Sequence, residues 1–262
     1  WTGVFADEIC AQAATRDDIV GITAAMMRPV GLGPMHEAYP GRVIDVGIAE
    51  AEAVASAAGM AYQGAHPVVA LYATFLNRGF DQLLMDVALH RAGVTFVLDR
   101  AGVTGADGAS HNGVWDIAMC SLIPGLRLAA PRDEETLRAR LREALDVDDA
   151  PTVIRYRKGS LPEPMPALRS VGGVDILFDE AVADSRARVL IVGTGACAPD
   201  AIEAARRLSE GGVSVTVVDP QWMIPVCPEL ATLARDYDCV VSVEDGIVQG
   251  GFGWSLRDAL AE

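Results

Sequence analysis

Basic residues are scarce: 21 Lys and Arg stand against 36 Asp and Glu, a formal charge of -15, and the cations form no cluster. Such a surface repels a phosphodiester backbone, so nucleic acid is not an expected partner and any anion must be gripped locally. No stretch approaches the roughly 20 uninterrupted apolar residues of a membrane-spanning helix, and no membrane partner is expected. The five cysteines, Cys10, Cys120, Cys197, Cys227 and Cys239, are odd in number, with neither CxxC nor metal-ligand spacing. That argues against a disulfide framework or a zinc site and fits a reducing cytoplasm. No basic segment followed by an apolar one opens the chain, so export is not indicated. Internal repeats and low-complexity tracts are missing as well.

What is present is an apolar content of 51% over 262 residues, enough for two unequal cores. Short β-branched runs alternate with helical patterns, the mark of an α/β fold built on parallel sheets with crossover helices. Strands are expected over 18–23, 42–48, 66–71, 94–98, 152–154, 189–192, 213–218 and 239–243, and helices over 4–14, 50–62, 75–91, 133–144 and 199–208. The small residues Ala51, Ala53, Ala55, Ala57, Ala58 and Gly59 suggest a helix whose neighbours approach closely. Three prolines, Pro162, Pro164 and Pro166, mark a linker. The expected organisation is therefore a domain over 1–160, a linker over 161–170 and a second domain over 171–262. The chain starts at Trp1 and stops at Glu262 in a helix-like run, the pattern expected of a fragment or of one part of a split enzyme.

In open parallel sheets ligands sit outside the carboxyl ends of the strands, and the unusual residues fall there. Glu50 follows a strand and opens a helix. The helix dipole alone would favour a carboxylate at that point, but the apolar flanks Ile48, Ala49, Ala51 and Ala53 argue for burial and a role. Tyr72 and Phe75 end the third strand, where core packing is the ordinary explanation. Arg78 could do no more than pair with Asp81 at i,i+3. The glycine-rich loop 101–115 follows Asp99 and Arg100 and carries Asp107 and His111; long loops of this kind are commonly functional. A lone loop histidine is more often a surface group, yet Arg100 and Asp107 as neighbours favour a site. Gly193-Thr194-Gly195 lacks the third glycine of a dinucleotide turn and reads as a tight turn. GADG and VEDG lack the following asparagine of a magnesium-diphosphate loop, and no metal site is evident.

Taken together, DVGIAE, VVALYATFLNRGFDQ, FVLDRAGVTGADGASHNG, IPGLRLAAPRD and RYRKG resemble 1-deoxy-D-xylulose-5-phosphate synthase, particularly its actinobacterial members, nearly end to end. The resemblance implies a thiamine diphosphate pyrimidine-binding fold followed by a transketolase C-terminal-like domain. It leaves out the amino-terminal domain, which in that family holds the diphosphate and Mg2+. It further implies transfer of a two-carbon unit from pyruvate to glyceraldehyde 3-phosphate, feeding isoprenoid and thiamine biosynthesis. By the same resemblance Glu50 would bond N1′ of the aminopyrimidine, with Ile48 and Phe75 beside it. Tyr72, Arg78, Arg100 and Lys158 would bind the phosphosugar aldehyde, and Asp107 and His111 would face its hydroxyl and carbonyl, His111 sharing the catalytic role with Glu50.

Two departures stand out. Ala51 and Glu52 replace the Gln and His usual in that family, and on a helix Glu52 points away from Glu50. Arg157 stands where proline is commoner and is expected to bear on acceptor choice. The resemblance also implies a homodimer or hetero-oligomer completed by a diphosphate-binding domain or chain, and inactivity of this chain alone. The rival readings are a subunit of a two-component transketolase-like or 2-oxo acid dehydrogenase-like enzyme with another acceptor, and a non-catalytic paralogue acting as a scaffold.

Overall fold

The structure, a computed structural model, describes residues 1–261. In chain order the first part comprises helix α1 (Thr2–Ala13), strand β1 (Ile19–Thr23), α2 (Gly33–Ala38), β2 (Val43–Asp45), α3 (Glu50–Ala61) and β3 (His66–Tyr72). A 3-10 segment, Ala73–Gly79, leads to α4 (Phe80–Gln82), then β4 (Thr95–Ala101), α5 (Asp116–Ser121), β5 (Arg127–Ala129), α6 (Glu134–Leu145) and β6 (Thr152–Arg157). The six strands form one sheet in the order β2-β1-β3-β4-β6-β5, every pair parallel.

The pairing follows from the residues. All seven positions of β3 are buried, as an apolar strand covered on both faces must be. Ile22, Val69 and Leu71 lie in one apolar cluster with Ala53, Val54, Ala57 and Ala58 of α3, which Phe96, Leu98 and Val153 extend along the sheet. The alternate residues, among them Val68, Ala70, Val97 and Ile154, face α1 and α6. Helix α6 begins at a capping box in which Asp133 accepts the Thr136 N–H at 3.0 Å while the Asp133 N–H donates to Thr136 Oγ1 at 3.0 Å, closing two otherwise unpaired backbone donors.

The second part comprises β7 (Arg169–Val171), β8 (Val174–Glu180), β9 (Arg188–Gly193), α7 (Ala198–Glu210), β10 (Ser214–Pro220), α8 (Pro228–Ala234), β11 (Cys239–Val243) and α9 (Phe252–Ala261). Its sheet runs β11-β9-β10-β8-β7. The strands β9, β10 and β11 are parallel, but β8 is antiparallel to both β10 and β7. The sheet is therefore mixed, because Gly172 and Gly173, both at positive φ, turn β7 directly into β8, and a two-residue turn can only reverse the chain. The segment expected as linker thus ends inside β7.

Three further differences concern the first sheet. The helix expected over 75–91 is instead 3-10 over Ala73–Gly79, α over Phe80–Gln82 and π over Leu83–Ala88. Gly79 is pressed onto α3, where a Cβ would meet Val54 Cγ2 at 2.8 Å and the Glu50 carbonyl oxygen at 3.3 Å. Strand β5 and the short helix α5 were not anticipated.

The two sheets are joined through backbone and charge. The Leu128 N–H donates to the Ile224 carbonyl at 2.9 Å and the Met223 N–H to the Leu128 carbonyl at 2.7 Å. Buried Arg132 reaches Asp175 at 2.7 Å and Asp219 at 2.9 Å. Buried Arg155 reaches Asp116 and Asp245, each at 2.6 Å.

Candidate functional site

The strand order reverses direction at β1, with β2 on one side and β3 on the other. A crevice therefore opens at the carboxyl ends of these strands. Asp45, the last residue of β2, ties the ends together: its Oδ1 accepts the Ala25 N–H at 2.7 Å and the Gly47 N–H at 3.0 Å. The turn so formed delivers Glu50 as the first residue of α3. Glu50 is 6% exposed, and among the described residues its carboxylate has no hydrogen-bond partner. Glu52 is exposed and accepts the Ser56 hydroxyl at 2.9 Å, on the other side of the helix as expected.

The segment after β3 sets an aromatic platform. Tyr72 and Phe75 stack with ring centroids 6.0 Å apart and planes 10° from parallel. The His111 ring meets both edge-on, 6.5 Å from Tyr72 and 5.7 Å from Phe75. Its Nδ1 lies 3.1 Å from the Ser110 hydroxyl, and the Thr74 hydroxyl donates to the Ser110 carbonyl at 3.0 Å. The loop bearing His111 is thereby tied back to the segment bearing Phe75.

Arg100 reaches this platform because the strand is deformed. Pairing between β4 and β6 slips between Asp99 and Ala101, leaving Arg100 as the extra residue of a bulge with φ +64, a conformation that costs a non-glycine residue free energy. Its guanidinium sits 3.9 Å from the Tyr72 ring centroid, 3.1 Å from Asp99 and 3.8 Å from Asp107. Lys158, just beyond β6, pairs with Asp107 at 2.6 Å and holds that carboxyl below its ordinary range. Burial raises Asp99, opposed by the Thr2 hydroxyl, which donates to it at 2.6 Å. Burial likewise raises the Tyr72 phenol, against Arg100.

The structure thus brings together Tyr72, Phe75, Arg100, Asp107, His111 and Lys158 at the carboxyl ends of β3, β4 and β6, with Glu50 on the helix that abuts Gly79. Ile48, 86% exposed, and Arg78, also exposed, make none of these contacts. Arg157 differs from expectation: its Nη2 lies 3.4 Å from Cys197 Sγ and 3.6 Å from Asp245, both in the second part, because successive residues of β6 face opposite ways. Asp99, Thr2, Asp45 and Ser110 were not singled out in the sequence. Only Asp99, an acid within an apolar strand, left a signal there. Among the described residues no group of three or more His, Cys, Asp and Glu is placed to hold a metal ion, and no helix is long and apolar enough to cross a membrane.

Residues 1–164 match the transketolase pyrimidine-binding domain, and residues 180–262 match the transketolase C-terminal domain. The chain belongs to the transketolase pyrimidine-binding family. That is a family that uses thiamine diphosphate, and the residues here fit an aminopyrimidine: a half-buried flat ring, Phe75, beside a helix that starts with the largely buried Glu50, whose carboxylate is left free of protein partners among the described residues. Among similar transketolase-family proteins, 1-deoxy-D-xylulose-5-phosphate synthase 2 of Kitasatospora griseola is 57% identical over 100% of this chain. The synthases of Frankia casuarinae and Corynebacterium glutamicum are 55% and 53% identical over 100% and 99% of it. The chain spans only 42%, 40% and 42% of those three proteins. A split-gene transketolase, solved as an inactive β4 tetramer, superposes with a TM-score of 0.84 at 26% identity, covering 98% of this chain and 83% of that one. Transketolase from Leishmania mexicana shares the fold, with a TM-score of 0.77 at 20% identity, over 98% of this chain and 44% of that one.

Proposed function

We propose that these residues form the pyrimidine-binding and C-terminal part of a carboligase. It decarboxylates pyruvate and transfers the two-carbon unit to glyceraldehyde 3-phosphate, giving 1-deoxy-D-xylulose 5-phosphate and carbon dioxide. The observation that carries this reading is the 57% identity, across the whole chain, to a protein named for that synthase. The two cations held around Asp107 supply the anion grip such an acceptor needs. The diphosphate, with its Mg2+, is gripped by a domain or chain outside these residues, and the assembled enzyme is a homodimer or hetero-oligomer.

When bound, thiamine diphosphate supplies a nucleophilic carbon and an electron sink for the loss of carbon dioxide. The chain's own residues do the rest. Glu50 hydrogen-bonds N1′ of the pyrimidine from the start of α3, and Phe75 packs on the pyrimidine face. Arg100 and Lys158 take the acceptor phosphate. In the structure they are neutralised by Asp99 and Asp107, so a phosphate dianion competes for cations already in place, and Arg100 offers it a planar fork of donors. Asp107, released in that exchange, faces the acceptor hydroxyl. His111, braced against Tyr72 and Phe75, exchanges a proton at the aldehyde oxygen as a new C–C bond forms. Ile48 and Arg78, both exposed, take the pyrimidine and the acceptor respectively in the assembled enzyme.

A second reading is favoured by the 83% coverage of the split-gene transketolase chain: a separately encoded subunit with another aldehyde acceptor. The test is to combine these residues with a diphosphate-binding chain, saturate with thiamine diphosphate and Mg2+, and measure carboligation of pyruvate with a panel of acceptors. Product from glyceraldehyde 3-phosphate supports the first reading. Consumption of a different acceptor alone replaces it with the second, and cofactor binding indifferent to Glu50→Gln indicates a non-catalytic scaffold.

A further inference from the structure

The loop that carries Asp107 and His111 leaves and rejoins the sheet through a narrow neck. The Gly102 N–H donates to the Gly113 carbonyl at 3.0 Å, and the Gly113 N–H donates back to the Gly102 carbonyl at 2.9 Å. On one side the neck lies against the platform segment: a Cβ at Gly113 would come within 2.5 Å of the Ala73 methyl. On the other side it lies against the second sheet. Gly102, at φ +73, is so close to Asp245 that a Cβ there would stand 2.5 Å from Asp245 Oδ2.

Asp245 follows β11 and is held in place by the first part. Its Oδ1 accepts from Arg155 Nη1 at 2.6 Å, and Arg155 is in turn fixed by wholly buried Asp116, whose Oδ2 accepts its Nε at 2.6 Å. Two residues past Asp245, the Ile247 N–H donates to the Val114 carbonyl at 3.1 Å, gripping the chain as it leaves the loop. Gly246 lies between, with room for no side chain free of contact with Ile117 Cδ1 at 3.1 Å. The segment after β11 therefore touches the chain both where it enters the loop, at Gly102, and just after it leaves, at Val114. Beyond the neck, the loop's own bracing includes the Thr104 N–H and hydroxyl, both donating to Asn112 Oδ1 at 2.9 and 3.0 Å.

We propose that Asp245 is a positioning residue: through Gly102 and Arg155 the segment after β11 fixes the neck of loop 102–113 and so sets where Asp107 stands between Arg100 and Lys158 and where His111 stands against Phe75. The proposal rests on the reading of those two residues as acceptor-facing groups and gives the C-terminal domain a part in acceptor recognition. A neck displaced by about 1 Å is enough to cost on the order of a hundredfold in a reaction that depends on orientation.

The test compares two variants in the assembled enzyme. Asp245→Asn removes the charge at the neck; Asp175→Asn disturbs the other ionic joint between the sheets, at Arg132, remote from the loop. Hydrogen exchange of the amides in 102–113 is expected to speed up roughly tenfold or more in Asp245→Asn and to stay as in wild type in Asp175→Asn. The kcat/KM for the acceptor should fall by about tenfold or more in the first variant only, with the KM for pyruvate unchanged. Equal exchange and equal acceptor kinetics in the two variants overturn the proposal. If Asp245→Asn does not fold, wild type still decides. The Gly102, Gly113 and Ile247 amides must then open together, with protection within about threefold, and a wider spread contradicts the coupling. The exchange readout needs no turnover, so an enzyme that proves to make another product leaves this test standing.

Discussion

The joint at Arg132 ought to make the union of the two sheets depend on pH, in a direction opposite to that of an ordinary salt bridge. Arg132 is shared by two buried carboxylates. Asp175 is the better solvated by the protein, accepting also from Ser170 at 2.5 Å and Gln221 at 3.0 Å, and is held below its ordinary range despite burial. Asp219 accepts from Arg132 on Oδ2, and among the described residues its Oδ1 is buried without a side-chain partner. Burial pushes its carboxyl from 3.8 up to about 7, against the pull of Arg132.

A carboxyl raised in the folded state stabilises the fold fully below its unfolded value, and that contribution is lost as pH climbs through the folded value. Over that window each pH unit removes about 1.4 kcal/mol, so roughly 4 kcal/mol goes between about pH 4 and pH 7. Asp219→Asn keeps the shape and remains neutral, so it lacks this slope. All other groups titrate in both proteins, and the difference between their urea unfolding free energies isolates Asp219. It should be small near pH 4 and should grow to as much as about 4 kcal/mol in favour of the variant near pH 8. A difference that does not change with pH, or that favours wild type at the higher pH, refutes the reasoning.

Two further outcomes follow from contacts at the site. Gly79→Ala drives a Cβ against Val54 and the Glu50 carbonyl, at 2.8 and 3.3 Å; it should cost about 1–3 kcal/mol in denaturant unfolding and weaken thiamine diphosphate binding measured by titration, because α3 must shift. Lys158→Ala should raise the acceptor KM by about tenfold, the worth of one charge-assisted hydrogen bond, with the pyruvate KM unchanged in steady-state assays.

Much of this architecture is written plainly in the chain. Runs such as Pro67 to Leu71 and Phe96 to Leu98 are apolar without alternation, which marks strands buried on both faces, and they recur at the spacing that parallel crossovers need. The same logic placed Glu50, Tyr72 and Arg100 at strand ends, and the structure gathers the last two with Phe75, Asp107, His111 and Lys158, a residue that only the family resemblance had pointed to. Periodicity could not distinguish the helical turns between Ala73 and Ala88, since the apolar positions Leu83 and Val87 suit several hydrogen-bond patterns. Nor could it find β5, whose three residues are too few to show a period, or β7, whose exposed Arg169, Ser170 and Val171 read as linker. Long-range partners were the least legible. Arg155 follows the apolar Val153 and Ile154, while Arg132 opens the charged run Arg132 to Glu135, and nothing local says that Asp245 and Asp219, some 90 residues on, pair with them. The partners of Arg157, Cys197 and Asp245, were hidden for the same reason, lying in the second part of the chain.

The account turns on Glu50, a largely buried residue at the start of α3 whose carboxylate has no protein partner among the described residues. Its most direct test is product formation from pyruvate and glyceraldehyde 3-phosphate by the assembled enzyme, wild type against Glu50→Gln, with circular dichroism and the unfolding midpoint confirming an intact fold. The account predicts a loss of rate of about a hundredfold or more, the scale of removing a positioned acid-base group. A correctly folded Glu50→Gln enzyme with wild-type turnover would contradict it.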